Sequence, residues 1–508
     1  MELTLHPLGE YCELLDKLGL LAAPLRPGLE LGRTVELVSC NSKEVVPGTL
    51  FVCKGAHFKP DFLAEAARRG GFAYVSERAY PEVKLPCILV RDMRQAMAHL
   101  AVKYYNDPSR RLKVIGITGT KGKSSTAYFI KSILDGFLAP RGMGCGLISS
   151  IETWDGVERF ESRLTTPEPL ELQKHLAHAA SSGMEYLVME ASSQALKYHR
   201  TLGVRFAVSA FLNIGIDHIS PIEHPDFEDY FHSKLKIFAQ SDLSCVNMDC
   251  GHAREAVETA RNTCPTVFTF SRQNPAASVY AGSVCKVGHE ILFDVDADQC
   301  SGSYSLHMPG LFNVDNALAA IAVCRGLNIP KEAVADGLAK AHVPGRMEIY
   351  TSADDKVVAI VDFAHNRMSF ENLVRTARAE YPGRRLVALF GSVGDKAYDR
   401  RRDLGEIAGE YADLSILTED DSGEEDTRSI CQELGAYVAS KGGKFVIELN
   451  RSEAVRQAIL GCEEPSVVLV AGRGVEPRQK RGVEYIDTPT DVDYTKAFLR
   501  EYDARRGR

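Results

Sequence analysis

Short unbroken apolar runs punctuate the chain, each followed by a polar turn and then a stretch with helical spacing. Residues 50–53 (Leu-Phe-Val-Cys) and 72–75 (Phe-Ala-Tyr-Val) read as strands, with an amphipathic helix over residues 62–69 between them. The polar stretch 106–111 ends this small α/β unit, because Pro108 lacks an amide proton and pushes Asp107 away from helix. A second unit opens with the strand 114–118, passes through a glycine-rich turn and enters a helix from Ser124 to about Leu134. Residues 186–189 and 206–212 lack alternation, as strands covered on both faces do, and predict a mostly parallel sheet. Residues 316–324 read as helix, and Val343-Pro344-Gly345 as a second break. Beyond it four apolar strands, 357–361, 386–390, 414–417 and 467–470, alternate with helices in a Rossmann-like pattern. The expectation is an α/β chain of three domains, residues 1–108, 109–344 and 345–508.

Composition agrees and removes alternatives. At roughly 100 to 200 residues per domain, 508 residues make two to four domains. Hydrophobic residues are 45% and charged residues 25%, the values of a folded chain in water. Sixty Lys and Arg against 68 Asp and Glu, net -8, leave no electrostatic footprint for nucleic acid. The first residues carry acids and no apolar core of signal-peptide type, and no run of 18 apolar residues follows, so no membrane insertion and a cytoplasmic address are expected. Thirteen cysteines without a C-x-x-C pair read as reduced thiols. A single tryptophan, Trp154, and no repeat period exclude solenoids and propellers.

The strongest local chemistry is the run Gly119, Thr120, Lys121, Gly122, Lys123, Ser124, Ser125 between a strand and a helix. Glycines let the backbone wrap an anion, the helix N-terminus supplies unpaired N–H groups, and a lysine reaches the outer phosphates. A hydroxyl after that lysine suits Mg²⁺. Position 117 is Ile, so this is a shorter variant of the usual phosphate loop; a nucleoside triphosphate is the expected ligand. Glu190 ends a buried strand where a carboxylate can hold Mg²⁺ or cap a helix. Asn313 and Asn316 stand three apart, placed either to meet an adenine edge or to cap their helix.

Further blocks follow in order: Thr165-Thr166-Pro167, Met189-Glu190-Ala191-Ser192-Ser193, Asn213 with Asp217-His218, Gly310 to Asn316, Pro344-Gly345-Arg346-Met347-Glu348 and Asp362-Phe363-Ala364-His365. On these blocks and the phosphate loop, nearly the whole chain resembles the Mur ligases. The resemblance implies ATP-driven ligation of a free amino acid, the third of the stem peptide, to the D-Glu γ-carboxylate of UDP-MurNAc-L-Ala-D-Glu through an acyl phosphate. It implies ATP contacts from the phosphate loop, Asn313, Asn316, Arg346 and Asp362, and Mg²⁺ held by Ser124, Glu190 and His218. It also implies a CO₂-derived carbamate on Lys234, which by composition alone would be a solvated helix charge. Lys123, Glu190, Lys234 and His218 become the catalytic group. Ser42, Thr165, Thr166, Ser193 and Arg200 become contacts for the UDP-sugar-peptide, although the first-domain block reads Asn41-Ser42-Lys43 where the family's usual triplet is D-S-R. A monomer is expected.

Amino-acid contacts are assigned to Asp420, Asp421, Gly472 and Glu476. Relatives selective for meso-diaminopimelate carry D-N-P-R, whose Arg can grip a distal carboxylate. This chain has Asp420-Asp421-Ser422-Gly423, inside a loop with six acids in residues 419–426. The run is either a solvated loop or an attractor for an ammonium group, and it predicts L-lysine, then ornithine, over meso-diaminopimelate. A folylpolyglutamate-synthetase-like ligase shares the loop and the three-domain plan, and a non-catalytic ATP-binding partner is a third reading.

Overall fold

The computed structural model describes residues 3–25, 27–55, 58–217, 219–220, 223–287 and 290–506, so the predicted metal ligand His218 lies outside the described residues. Its strands form three main sheets and a hairpin. In the first sheet β1 (Leu37–Ser39), β2 (Thr49–Val52), β3 (Gly71–Ser76) and β4 (Cys87–Leu89) lie side by side and parallel. Every residue of β2 and β3 is buried, so neither face of these strands could carry a polar alternation. The helix between them is Pro60–Arg68, beginning two residues before the sequence expectation because proline's missing N–H is harmless in a first turn. At the anticipated break Asp107 adopts a left-handed backbone and Pro108–Arg111 closes a 3₁₀ turn.

The second sheet has eleven strands: β5 (Lys113–Thr118), β6 (Gly146–Ile148), β7 (Glu152–Trp154), β8 (Arg159–Glu161), β9 (Tyr186–Glu190), β10 (Phe206–Phe211), β11 (Leu243–Asn247), β12 (Thr266–Ser271), β13 (Val279–Val287), β14 (Glu290–Asp296) and β15 (Gly302–Leu306). Their spatial order is β15-β14-β13-β12-β11-β10-β5-β9-β6-β7-β8. Strands from β13 to β6 are parallel, as expected, while β14, β15, β7 and β8 extend the two edges antiparallel. Helices Lys123–Leu138, Phe312–Gly326 and Lys331–Ala339 cover one face, and Pro169–Ser181, Phe227–Leu235 and Ala253–Thr263 the other. Gly337 permits a close crossing of two of these helices: a Cβ there would stand 2.4 Å from Ile133 Cα.

The third sheet contains β16 (Glu348–Thr351), β17 (Val357–Asp362), β18 (Arg385–Phe390), β19 (Leu414–Leu417), β20 (Phe445–Ile447) and β21 (Ser466–Ala471), ordered β16-β17-β21-β18-β19-β20. All pair in parallel except β16 with β17. Helices on both faces complete the Rossmann-like layer arrangement. A hairpin of β22 (Arg478–Arg481) and β23 (Glu484–Asp487) follows. The carboxyl ends of β5, β9, β10, β11 and β17 open on one space, the position at which open parallel sheets bind ligands. Among the described residues no helix is long and apolar enough to cross a membrane, and all thirteen cysteines are free thiols.

Candidate active site

A cavity of about 700 Å³ lies between the second and third sheets, lined by Thr120 to Ser125, Glu190, Asn213, Asn313, Asn316, Arg346, Asp362 and Glu476 among others. Its floor is the phosphate loop. Asn213 fixes the loop's first half: its carbonyl accepts from Thr120 N (3.1 Å), its side-chain oxygen accepts from Lys121 N (2.9 Å), and its amide donates to Lys121 O. The following amides belong to the first turn of helix Lys123–Leu138, which has no intrahelical acceptors and no capping side chain. Gly122 has φ 83°, and a Cβ there would meet Asn316 Oδ1 at 2.2 Å, so backbone conformation and space both require glycine.

Cations crowd beneath this loop. Lys123 Nζ donates to the Gly119 and Thr120 carbonyls (2.9 and 3.3 Å), and Lys234 Nζ, from helix Phe227–Leu235, donates to Gly119 O (3.0 Å). Lys234 is only 2% exposed, and burial with the neighbouring Lys123 and Lys121 charges pushes its pKa well below the usual ammonium range. Burial likewise lowers Lys123, and lowers Lys121 to about 8 against the pull of Asp217, 3.4 Å away. Asp217 also accepts from Asn366 Nδ2 (2.8 Å) and Arg400 Nη2 (3.2 Å), linking the loop to the third sheet's helices. Arg346 lies over the Phe363 ring, and burial lowers its pKa despite Asp362 and Glu190.

Glu190 is 1% exposed at the end of β9. Its Oε1 accepts from Ser150 N (2.9 Å) and Ser150 Oγ (3.3 Å), and Ser150 Oγ stands 3.1 Å from Ser124 Oγ. Two hydroxyls and a carboxylate at the mouth of a phosphate loop form an oxygen donor set of the kind Mg²⁺ takes. Ser150 had no sequence signal, because it sits beyond the three-residue strand β6. Asn313 and Asn316 do reach the cavity, yet their amides are engaged locally, with Pro309 O (2.7 Å) and Asn313 Oδ1 (3.0 Å).

A second cavity, about 620 Å³, separates the first sheet from the central unit and is lined by Lys54, Arg78, Tyr80, Arg94, Tyr198 and Arg200 among others. Arg94 stacks 3.9 Å from the Tyr198 ring centroid. Arg200 reaches Thr166 O (3.2 Å) and Glu168 (2.8 Å), and Lys54 also pairs with Glu168. Of the other residues assigned to the UDP-sugar-peptide, Thr165 lines the first cavity. The remaining three turn elsewhere. Ser42 Oγ donates to Glu65 (2.6 Å), Thr166 Oγ1 donates to Glu190 O (2.8 Å), and Ser193 Oγ bonds His224 (3.0 Å). Of this lining Arg200 carries a sequence assignment, whereas Arg78, Tyr80, Arg94 and Tyr198 come from separate segments that share no local pattern.

The acidic loop differs most from its sequence reading. Arg473, 2% exposed, binds Asp420 (3.3 Å) and Asp421 (2.8 Å). Glu425 is held by Arg401 (2.6 Å), Glu419 by Arg481 (2.7 Å), and Asp426 caps helix Thr427–Ser440. Five of the six acids are thus already partnered, and the loop as a whole is no open attractor for an ammonium group. Gly472, with φ 115°, lies against Asp420 beside this cluster. Glu476 alone of the four assigned residues lines the cavity, its pKa raised to about 8 by burial and by Asp420 and Asp421.

Comparisons with known proteins agree with this geometry. Residues 117–324 match the Mur ligase middle domain, and residues 345–474 the Mur ligase, glutamate ligase domain. The chain is 39% identical over 470 residues to UDP-N-acetylmuramoyl-L-alanyl-D-glutamate--L-lysine ligase of Enterococcus faecalis, covering 92% of this chain and 91% of that one. It is 36% identical to UDP-N-acetylmuramyl-tripeptide synthetase of Lactobacillus acidophilus, covering 93% of each. A solved UDP-N-acetylmuramoyl-L-alanyl-D-glutamate--2,6-diaminopimelate ligase shares the fold with a TM-score of 0.66 at 22% identity, over 99% of this chain and all of that one. The chain belongs to the Mur ligase family, whose members are ATP-dependent, use Mg²⁺ and form amide bonds.

Proposed function

We propose that the chain joins L-lysine to the D-Glu γ-carboxylate of UDP-MurNAc-L-Ala-D-Glu. The observation that carries this reading is the single 700 Å³ cavity shared by the phosphate loop, Glu190 and the third-sheet residues Arg346, Asp362 and Glu476. The relatives named as lysine ligases supply the amino acid. A γ-carboxylate oxygen attacks the γ-phosphorus of ATP, ADP leaves, and an acyl phosphate forms. The lysine α-amine then attacks the acyl carbon, phosphate departs, and the nitrogen loses a proton.

The residues divide this work. Amides from Gly122 to Ser125 and the Lys123 ammonium hold the transferred phosphoryl group and stabilise its charge. Ser124 and Glu190, steadied by Ser150, would hold Mg²⁺ with His218, and the ion supplies further charge neutralisation when bound. Lys234 fits a carbamate: its amine is held towards the neutral form that can bond to CO₂ carbon, releasing one proton. The product is an anion beside the Lys121 and Lys123 cations, where an ammonium would be repelled. Asn313, Asn316, Arg346 and Asp362 complete the ATP site. In the second cavity, Lys54, Arg78, Arg94 and Arg200 suit a nucleoside diphosphate, and Tyr80 and Tyr198 suit rings. Glu476 becomes the acid that meets the incoming amino acid. The division at residues 108 and 344 assigns one domain to each ligand; the chain works as a monomer, and its free thiols suit the reducing cytoplasm.

The test is ADP release by purified protein with UDP-MurNAc-L-Ala-D-Glu and a panel of amino acids. L-Lysine should give the highest kcat/KM, with ornithine next. A faster reaction with meso-diaminopimelate at equal concentration overturns the assignment.

A further inference from the structure

Away from both cavities, the turn between β7 and β8 and helix Pro169–Ser181 bring together Asp155, Glu158, His175 and His178. One ligand atom from each lies within 4.8 Å of all the others. Donors around a tetrahedral zinc ion stand about 3.3 Å apart, so the widest pair need close by only ~1.5 Å. His175 and His178, three apart on one helical face, both direct Nδ1 at Asp155 Oδ2, at 2.6 and 2.9 Å. Asp155 is oriented for this. Its other oxygen accepts from Val157 N (2.9 Å) and Glu158 N (2.7 Å).

The free ring nitrogen of His175 adds a second observation to the geometry of the cluster. Its Nε2 is buried without a hydrogen-bond partner and faces Glu171 Oε1 at 3.9 Å. A neutral ring that gives its one proton to Asp155 leaves a bare nitrogen lone pair turned to a second carboxylate. A second proton on the ring, or a metal cation on Nδ1, removes the conflict, because Nε2 then carries a proton that points at Glu171. The latter is the carboxylate–imidazole–metal arrangement by which outer groups fix a ligand's tautomer.

We propose that Asp155, Glu158, His175 and His178 form a binding site for a divalent transition metal of the zinc type, separate from the magnesium chemistry at the phosphate loop. Two imidazole nitrogens with two carboxylates select against Mg²⁺, which takes oxygen ligands. Lys174 Nζ donates to both Glu158 oxygens (2.9 and 3.1 Å), a contact that the ion shares or replaces. The ion cross-links the β7–β8 hairpin to helix Pro169–Ser181. The hairpin is tied by Thr153 Oγ1 to Ser162 Oγ (2.8 Å), and Ser162 lines the ATP-side cavity.

The sole tryptophan, Trp154, adjoins Asp155 and reports on the site. The full chain, stripped with a chelator and held in millimolar Mg²⁺, is titrated with Co²⁺ while Trp154 emission and visible cobalt absorbance are followed. One equivalent should quench Trp154 and give the absorbance of a tetrahedral nitrogen–oxygen site, reversed by Zn²⁺ and untouched by more Mg²⁺. His178→Gln should weaken this response by at least about tenfold and abolish the rise in melting temperature that Zn²⁺ causes. Should His178→Gln fail to fold, Glu158→Gln makes the same comparison. Equal quenching and stoichiometry in wild type and a folded variant overturn the proposal. So does an unresponsive wild type, in which the cluster is held by a proton alone.

Discussion

The phosphate loop and the acidic loop both concentrate charge, and they handle it in opposite ways. Around the phosphate loop, Lys121, Lys123, Lys234 and Arg346 are desolvated beside one another, and every one has its pKa pushed down. Around the acidic loop, Arg401, Arg451 and Arg473 meet carboxylates through two or more nitrogens or oxygens, and every one is pushed up despite burial. A guanidinium fork satisfies fixed carboxylates in a fold, whereas a lysine is a point charge left for an anion that comes and goes. Buried charge with too few partners therefore marks the ligand site, and buried charge with full partners marks scaffold.

Lys123→Ala gives the largest effect expected on the ligand side. Turnover in the ADP-release assay should fall by at least about 10²–10³-fold, while the melting temperature stays level or rises, since one crowded cation has gone. A lost fold would place Lys123 with the scaffold and break the contrast. Arg451→Ala is the mirror experiment. Arg451 binds Asp491 through Nε and Nη2 (both 2.7 Å), with both side chains at most 3% exposed, and also reaches Glu419 O and Ala471 O. Removing one partner of such a pair costs about 3–5 kcal/mol. Chemical denaturation should show that loss, with little change in KM for ATP among the molecules that remain folded.

The contrast also explains what could be read from the chain. The strand, glycine-rich turn and helix around residues 119–125 were legible because they are contiguous in the chain. The buried strands were legible for the same reason: β2, β3, β5 and β9 are apolar on both faces. The six acids of residues 419–426 were equally visible, but their partners were not. Arg473 lies 52 residues beyond Asp421, and Arg401 lies 24 residues before Glu425. No local pattern reveals that such groups will meet. Strands β7, β8 and β13 escaped notice because three-residue or largely exposed segments carry no buried apolar run. Ser150 escaped with them.

A smaller effect should follow from Lys234→Ala, which tests whether the most buried of the three lysines acts as an anion. Activity should fall by roughly 10–100-fold, the scale of groups that support a metal ligand set, and added formate or acetate should restore part of it. Wild-type activity should drop in CO₂-free buffer and return with bicarbonate. A variant that retains full activity, or a wild type indifferent to bicarbonate, would leave Lys234 as a plain cation under the loop.

Glu476 stands where the two regions join, and it yields the smallest effect. Unlike the other acids of this corner it lines the cavity, and burial with Asp420 and Asp421 outweighs Arg473, raising its pKa from 4.5 to about 8. The folded chain thus binds a proton that the unfolded chain has released. Stability from this group is fully present below pH 4.5 and is lost as pH rises to about 8, after which the dependence levels off. Glu476→Gln keeps the shape and abolishes the titration. Its melting temperature relative to wild type should climb by a few degrees between pH 5 and 8 and then stay constant. Saturating L-lysine should reduce that difference, because an ammonium group beside the carboxylate lowers its pKa. A pH-independent gap would assign Glu476 to the compensated scaffold, and would move the amino-acid site away from the only acid of this cluster that faces the cavity.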